Sequence, residues 1–333
     1  MNEVITLGHG NGGRFMRELI RDVFLRHLAN ANLDASADAA SLPPAAGVLV
    51  FTTDGFIVDP LEFPGGDIGA LAVHGVVNDL AVMGATPRWL SLSCFIEEGF
   101  EIARLDRIAA SLGEAARNCN VAVVTGDTKV VPRGQGGGLY LSVSGIGWRA
   151  PDTLLGLDKI QSGDCILVNG TLGDHGTAII LARNEFGLHG ELSSDCASVL
   201  PFTRAAAAIP GLRFMRDPTR GGIATVANEI SVATGLRVTL DETHLPLRDE
   251  VRGICDMLGF DPLYLASEGR VVAVVDAAQA SVLLATWRRL PGGEQAAVIG
   301  RIESGRPIVV LRTELGGERL LDELEDDPLP RIC

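Results

Sequence analysis

Cys333 is the last residue of the sequence and follows an acidic, proline-punctuated stretch, Asp322-Glu323-Leu324-Glu325-Asp326-Asp327-Pro328-Leu329-Pro330, then Arg331 and Ile332. Few apolar side chains and two prolines predict an extended, mobile arm rather than a packed element. From Asp322 to Cys333 such an arm reaches on the order of 40 Å. A thiol on its tip suits a carrier; the alternative is a free cysteine on a frayed end.

Four acidic residues stand beside glycine or small polar residues: Asp54 in Thr-Thr-Asp-Gly, Asp67 in Gly-Gly-Asp-Ile-Gly, Asp79 in Asn-Asp-Leu-Ala and Asp127 in Gly-Asp-Thr-Lys. Carboxylates converging from different elements suit magnesium, which takes oxygen ligands and bridges acids to phosphates. Each has a plainer reading. Asp67 is a plausible helix N-cap and Asp54 an ordinary turn residue. Asp79, beside Asn78, differs because it lies in an apolar helical stretch, where a buried charge needs a partner or a metal. Lys129 is placed to neutralise a γ-phosphate, or is simply a solvated lysine. Asp217-Pro218-Thr219-Arg220-Gly221-Gly222 precedes a helix, so Arg220 and the N–H groups after it suit a phosphate, unless the motif only caps that helix. Ser267-Glu268-Gly269 forms a turn before a strand, where Glu268 is placed to act as a general base. The Gly8–Gly13 segment, His175, Asn228 and Glu229 carry weaker signals.

The elements that must position these groups follow from periodicity. Phe15, Leu19, Val23 and His27 predict a helix over 14–30, and Val73, Val76, Val77 and Leu80 one over 68–83, started by Asp67. A strand is expected from Val48 to Thr53, ending in a turn at Asp54-Gly55 and resuming at Ile57-Val58. Further strands are expected at 89–96, 121–125 and 139–147, with a helix at 104–118 between the first two. A boundary is placed near Pro151. Beyond it come a strand at Cys165–Asn169, a helix ending at Gly187, a helix over 223–234 and a strand at Val271–Val275. This alternation is α/β or α+β.

At 333 residues and 47% hydrophobic content the chain can bury a large core, and its length suggests two domains. The six cysteines show neither a CxxC pair nor zinc-type spacing with histidine. No leader pattern and no apolar run of membrane-spanning length is evident, so a cytoplasmic location is expected, without a membrane partner. A net charge of −14 argues against nucleic acid as a partner.

Taken in order, Thr52-Thr53-Asp54-Gly55, Pro64-Gly65-Gly66-Asp67-Ile68-Gly69, Val77-Asn78-Asp79-Leu80-Ala81-Val82-Met83-Gly84-Ala85, Gly126-Asp127-Thr128-Lys129-Val130-Val131, Asp217-Pro218-Thr219-Arg220-Gly221-Gly222, Ser267-Glu268-Gly269 and Pro330-Arg331-Ile332-Cys333 resemble the HypE family of hydrogenase maturation factors. This family is grouped with aminoimidazole ribonucleotide synthetase, selenophosphate synthetase and thiamine-phosphate kinase. The resemblance implies a two-domain fold: residues 1–150 binding ATP and pairing their sheet with that of a second copy, residues 151–321 forming an α/β domain, and 322–333 a mobile tail. It implies ATP-dependent dehydration of a carbamoyl group on Cys333 to a thiocyanate, the source of cyanide for the iron of [NiFe]-hydrogenase. It further implies ATP bound across Asp54, Asp67, Asn78, Asp79, Asp127, Lys129, Asp217 and Arg220, with Mg2+ on Asp54, Asp67, Asp79 and Asp127. Glu268 is the first candidate base and Lys129, if neutral, the second. The implied partners are the carbamoyltransferase HypF and the HypC–HypD iron-assembly scaffold. Selenophosphate synthesis needs a reactive cysteine near residues 8–14, where there is none. Thiamine-phosphate phosphorylation has no use for a terminal thiol, and an adaptor with an acidic docking tail would leave the aspartate motifs idle.

Overall fold

Leu139, Leu141 and Val143 alternate with Tyr140, Ser142 and Ser144, so this strand buries one face only. In the computed structural model, which describes residues 3–324 apart from 36, 38, 185, 186 and 189, together with 331–333, that strand is central to the first of two main sheets. The sheet has the order β1-β6-β4-β5, formed by β1 (Val48–Phe56), β4 (Thr86–Glu97), β5 (Ala122–Val131) and β6 (Leu139–Arg149). Strands β4 and β5 are parallel and are joined by a crossover helix, α4 (Ile102–Asn118), as parallel neighbours require. Helix α3 (Ile68–Val82) lies beside it, buried along nearly its whole length. The small hairpin β2 (Glu62–Phe63) and β3 (Gly66–Asp67) leads into α3.

The N-terminal helix is broken in the middle: α1 (Arg14–Leu19) passes through a π-helical turn at Ile20–Phe24 into α2 (Leu25–Leu28). The glycine-rich segment before it is seated on β5. Leu7–Gly10 forms a 3-10 turn with His9 buried, and Gly10 lies so close to Val130 that a side chain there would meet its backbone.

Two strands are longer than sequence periodicity predicts. β1 runs straight through Asp54-Gly55, with Asp54 opposite Val143, and β5 continues past Thr125 through Gly126, Asp127 and Lys129. In both, ladder partners on the neighbouring strand continue and override the local turn signal, because strand preference is decided by pairing and burial more than by residue type.

The second sheet has seven strands in the order β13-β12-β9-β11-β7-β10-β8. These are β7 (Cys165–Val168), β8 (Leu212–Arg216), β9 (Arg237–Asp241), β10 (Val272–Val275), β11 (Ala297–Glu303), β12 (Val309–Arg312) and β13 (Glu318–Leu320). One face packs on α7 (Gly222–Thr234) through Ile223, Val226 and Ile230. Helices α5 (Asp174–Arg183), α6 (Leu200–Ala207), α8 (Asp249–Leu258) and α9 (Ala277–Trp287) complete the domain. Leu167, Ala273 and Val275 on the sheet belong to the same apolar cluster as Phe56, Leu71 and Ile108 of the first domain, so the two sheets share one continuous core. The architecture is mixed α/β. Among the described residues, no helix is long and apolar enough to cross a membrane.

Candidate active site

Residues 325–330, the middle of the expected mobile arm, lie outside the described residues; Arg331–Cys333, its tip, is docked between the two domains. Asp59 N donates to the Arg331 carbonyl at 3.1 Å and Ile57 N to the main-chain oxygen of Cys333 at 3.3 Å. From the other side Arg183 Nη2 donates to the same Arg331 carbonyl at 2.8 Å. Ile332 is 4% exposed, and its carbonyl stands 2.7 Å from His175 Nε2. Arg220 Nη2 lies 3.7 Å from the Cys333 sulfur. Burial, reinforced by the charge of Glu268, pushes the Cys333 thiol up to about 12 despite Arg220, so a docked free cysteine is protonated.

Facing this tip is an acidic cluster drawn from four places in the sequence. Asp54 comes from β1, Asp79 from α3, Asp217 from the loop between β8 and α7, and Glu268 from the turn before β10. Thr52 Oγ1 donates to Asp79 Oδ2 at 2.8 Å, and Gly55 N to Asp54 Oδ1 at 2.7 Å. Desolvation raises the proton affinity of all four carboxyls, and repulsion from neighbouring carboxylates adds to it at Asp79, Asp217 and Glu268. Asp217 is pushed up to about 7, by burial first and by the charge of Asp79 next. Glu268 lies well above the usual carboxylate range, through burial and then Asp217, Asp195, Asp54 and Asp79. Its Oε1 is buried without a hydrogen-bond partner among the described residues.

The backbone around Glu268 is held rigidly. Asn78, 1% exposed on α3, donates Nδ2 to the carbonyls of Glu268 and Ala197, each at 3.0 Å, and accepts from Val199 N at 2.9 Å. Asp195 Oδ1 accepts from Glu268 N at 3.0 Å, and Ser267 Oγ accepts from Gly173 N at 2.9 Å. Residue 269 must be glycine, since any side chain would run into the Asp195 carbonyl. Gly221, at φ +72°, supplies the left-handed turn that starts α7 behind Arg220.

Not all residues singled out in the sequence meet here. Asp67 caps α3, its Oδ1 accepting from Gly69 N at 2.8 Å and Ala70 N at 2.9 Å. Asn78 has both ends of its amide engaged with backbone. Asp127 and Lys129 pair with each other at 2.9 Å on β5. By register Asp127 lies beside Ser93 and Ser142, on the sheet face turned away from α3, whereas Thr52, Asp54 and Phe56 face α3. Among the described residues no three Asp, Glu, His or Cys side chains come together closely enough to hold a metal by themselves. Ile57, Asp59, Arg183 and Asp195 were invisible to sequence reasoning: two act through their backbone N–H groups and two by contacting backbone of distant segments. The Asp174-His175 pair at a helix start was the one available hint.

Two family matches cover most of the chain: AIR synthase related protein, N-terminal domain, over residues 36–148, and AIR synthase related protein, C-terminal domain, over 161–312. The carbamoyl dehydratase HypE of Rhodobacter capsulatus is 46% identical over 337 residues, spanning 100% of this chain and 99% of that protein. A crystal structure of hydrogenase maturation protein HypE in complex with ATP superimposes with a TM-score of 0.94 at 44% identity, over 98% of this chain and 99% of that one. The HypE chain of a HypE–HypF complex does so with a TM-score of 0.81 at 37% identity, over 94% and 100%. With its paired AIR synthase related domains and near full-length identity, the chain belongs to the HypE family of carbamoyl dehydratases.

Proposed function

We propose that this protein dehydrates a carbamoyl group carried on the sulfur of Cys333 to a thiocyanate, using ATP, and so makes the cyanide ligands of [NiFe]-hydrogenase iron. The observation that carries the reading is the docking of Arg331–Cys333 between Ile57, Asp59, His175 and Arg183, with the sulfur beside Arg220 and the Glu268 cluster. A docked thiol with its proton held is a poor nucleophile, which suits a site for cargo that arrives already attached.

The carboxamide oxygen cannot depart as hydroxide under mild conditions. It takes the γ-phosphoryl group of ATP as the amide nitrogen loses its first proton, and ADP leaves. Loss of the second N–H proton then drives scission of the C–O bond, formation of the C≡N triple bond and departure of phosphate. Glu268, buried with one oxygen unpartnered, is our base for a nitrogen proton; Lys129 is the second candidate. Arg220 is placed to bind an anionic oxygen formed next to the sulfur.

A cluster of carboxyls with raised proton affinity carries more negative charge when ionised than the nearby Arg216 and Arg220 offset, and a divalent cation supplies the missing positive charge. Asp54, Asp79 and Asp217, which do not make a metal site by themselves, would contribute to holding Mg2+ only together with the nucleotide, and the ion would supply charge neutralisation on the transferring phosphoryl group. Asp67 is assigned a lesser share because it caps α3.

We assign a second copy of the chain to the open face of the first sheet, where Leu49 and Phe51 are 57% and 62% exposed. Asp127 and Lys129 lie on that face and belong to the part of the nucleotide site that the pairing completes. HypF would load Cys333, as the HypE–HypF complex of a relative supports, and the HypC–HypD scaffold would receive the cyanide, in the cytoplasm.

Intact-protein mass spectrometry tests the reading. After incubation with the carbamoyltransferase and carbamoyl phosphate, the wild type gains a carbamoyl adduct that loses one water, about 18 Da, only when MgATP is added; Cys333→Ala gains none. An adduct that persists in the variant would overturn the carrier role.

A further inference from the structure

We propose that His175 is a positioning residue of this reaction, a latch whose Nε2–H holds the Ile332 carbonyl and so seats residue 333 against Arg220 and Glu268. The inference rests on the dehydratase reading for the reaction, and on the docked tip alone for the latch.

Hydrogen-bond bookkeeping admits one arrangement. A carbonyl oxygen only accepts, so the short 2.7 Å contact requires the proton on His175 Nε2. The neutral ring must then accept at Nδ1, where Ser194 Oγ lies at 2.8 Å. Ser194 Oγ already accepts from Cys196 N at 3.0 Å, leaving its own proton for the ring. Ser194 is fixed in turn by its N–H, which donates to the Pro64 carbonyl at 2.8 Å. The imidazole is fully buried in the first turn of α5, with the edge of Phe63 set against it at 5.4 Å between centroids. Its buried surroundings favour the neutral ring.

The latch is tied to the base. Asp195, the next residue after Ser194, accepts from the Glu268 N–H. Arg270 bridges Asp195 at 3.4 Å and Asp174 at 3.4 Å, and Asp174 precedes His175. Ser194-Asp195 is therefore a two-residue splint: one side chain orients the ring that holds the tip, the other the backbone of Glu268. Gly176 lies under the docked tip, where a side chain would press on Leu265 at 3.1 Å and Ala266 N at 3.3 Å while meeting Ile332 Cδ1 only at ordinary contact distance.

The test compares His175→Ala, His175→Gln and Ser194→Ala, using two readouts. One is the rate of iodoacetamide alkylation at Cys333, located by peptide mass spectrometry, without ATP or carbamoyl group. The other is the single-turnover rate of water loss from the carbamoyl-loaded protein at saturating MgATP. We expect His175→Ala to raise alkylation and slow water loss, each by about 10-fold or more, the effect of losing one buried hydrogen bond. Loading by the transferase and the ATP concentration at half-maximal rate should not change. Glutamine, whose amide N–H can reach the same carbonyl, should recover most of both effects, and Ser194→Ala should fall between.

Wild-type alkylation and water loss in His175→Ala would overturn the latch. So would a folded His175→Gln no better than alanine. If the alanine variant does not fold, Ser194→Ala decides, and wild-type behaviour there overturns the proposal. Alkylation separates this inference from the dehydratase reading: protection that depends on His175 in a wild type forming no thiocyanate would sink the reaction and leave the latch standing.

Discussion

Asp217 holds its proton up to about 7 because it is buried beside Asp79 and Asp54. Its ordinary value is 3.8, so between these values the folded protein retains a proton that the unfolded chain releases. Stability from this group is therefore present at low pH and is lost as pH rises from about 4 to about 7. Asp217→Asn should remove that loss. Without nucleotide or magnesium, the variant should be more stable than wild type at pH 8, on the order of 2 kcal/mol, and no more stable at pH 4. Thermal unfolding at the two pH values checks this, and an unchanged pH slope would refute it. Dehydration should nonetheless fall if Asp217 serves the nucleotide site as proposed. At this scale the sequence was informative about acids in apolar or turn contexts: Asp54, Asp79, Asp217 and Glu268 all reach one cluster. It was silent about partners that recognise backbone, such as Arg183 on the Arg331 and Asp59 carbonyls.

Among the elements, α3 does more than cover the first sheet. It carries Asp79 into the cluster while Asn78, the preceding residue, pins the Glu268 turn and the 197–199 segment of the other domain. Asn78→Ala removes three hydrogen bonds from a buried site and should destabilise the protein by about 1–3 kcal/mol. It should also slow water loss from the loaded enzyme more than it weakens ATP binding. Chemical denaturation and single-turnover rates measure the two effects; ATP affinity falling in step with rate would instead make Asn78 a nucleotide ligand. Helices with clean periodicity, α3 and α4, were legible, as were the central strands. Beyond α7 only β10 was legible; α8, α9 and the strands β11 to β13 were not, although Val251, Ile254 and Cys255 on α8 do show helical spacing. The side of the sheet taken by Asp127 and Lys129 was not legible at all. It depends on the register of β5 against β4, including the irregularity between Leu90 and Ser91, which no local pattern encodes.

For the molecule as a whole, the shared core leaves apolar side chains of β1 and β4 exposed on the open face of the first sheet. Leu49 and Phe51 on the edge strand, with Phe95 on β4, form a surface that water should not meet. If two copies pair through this face as proposed, Phe51→Glu should give a monomer in sedimentation, with loss of ATP turnover where Asp127 and Lys129 work through the pairing. A wild type that already sediments as a monomer would refute the paired arrangement. Overall architecture was predictable from α/β alternation and family resemblance together. That both sheets share one core was not, because the packing of α3 against α6 and β8 leaves no trace in sequence periodicity.

The grip on the tip also has a kinetic meaning. Ile57, Asp59, His175 and Arg183 hold main-chain oxygens of residues 331–333, and Ile57 and Asp59 also hold the Arg331 side chain; none of these contacts involves the sulfur, so they are indifferent to what it carries. A group delivered on residue 333 is thus a reactant of fixed local concentration, about millimolar for so short a tether, whatever the enzyme concentration. Its conversion is first order, set by the loaded fraction and by ATP. Dilution, which starves an ordinary two-substrate enzyme, leaves this half of the reaction untouched.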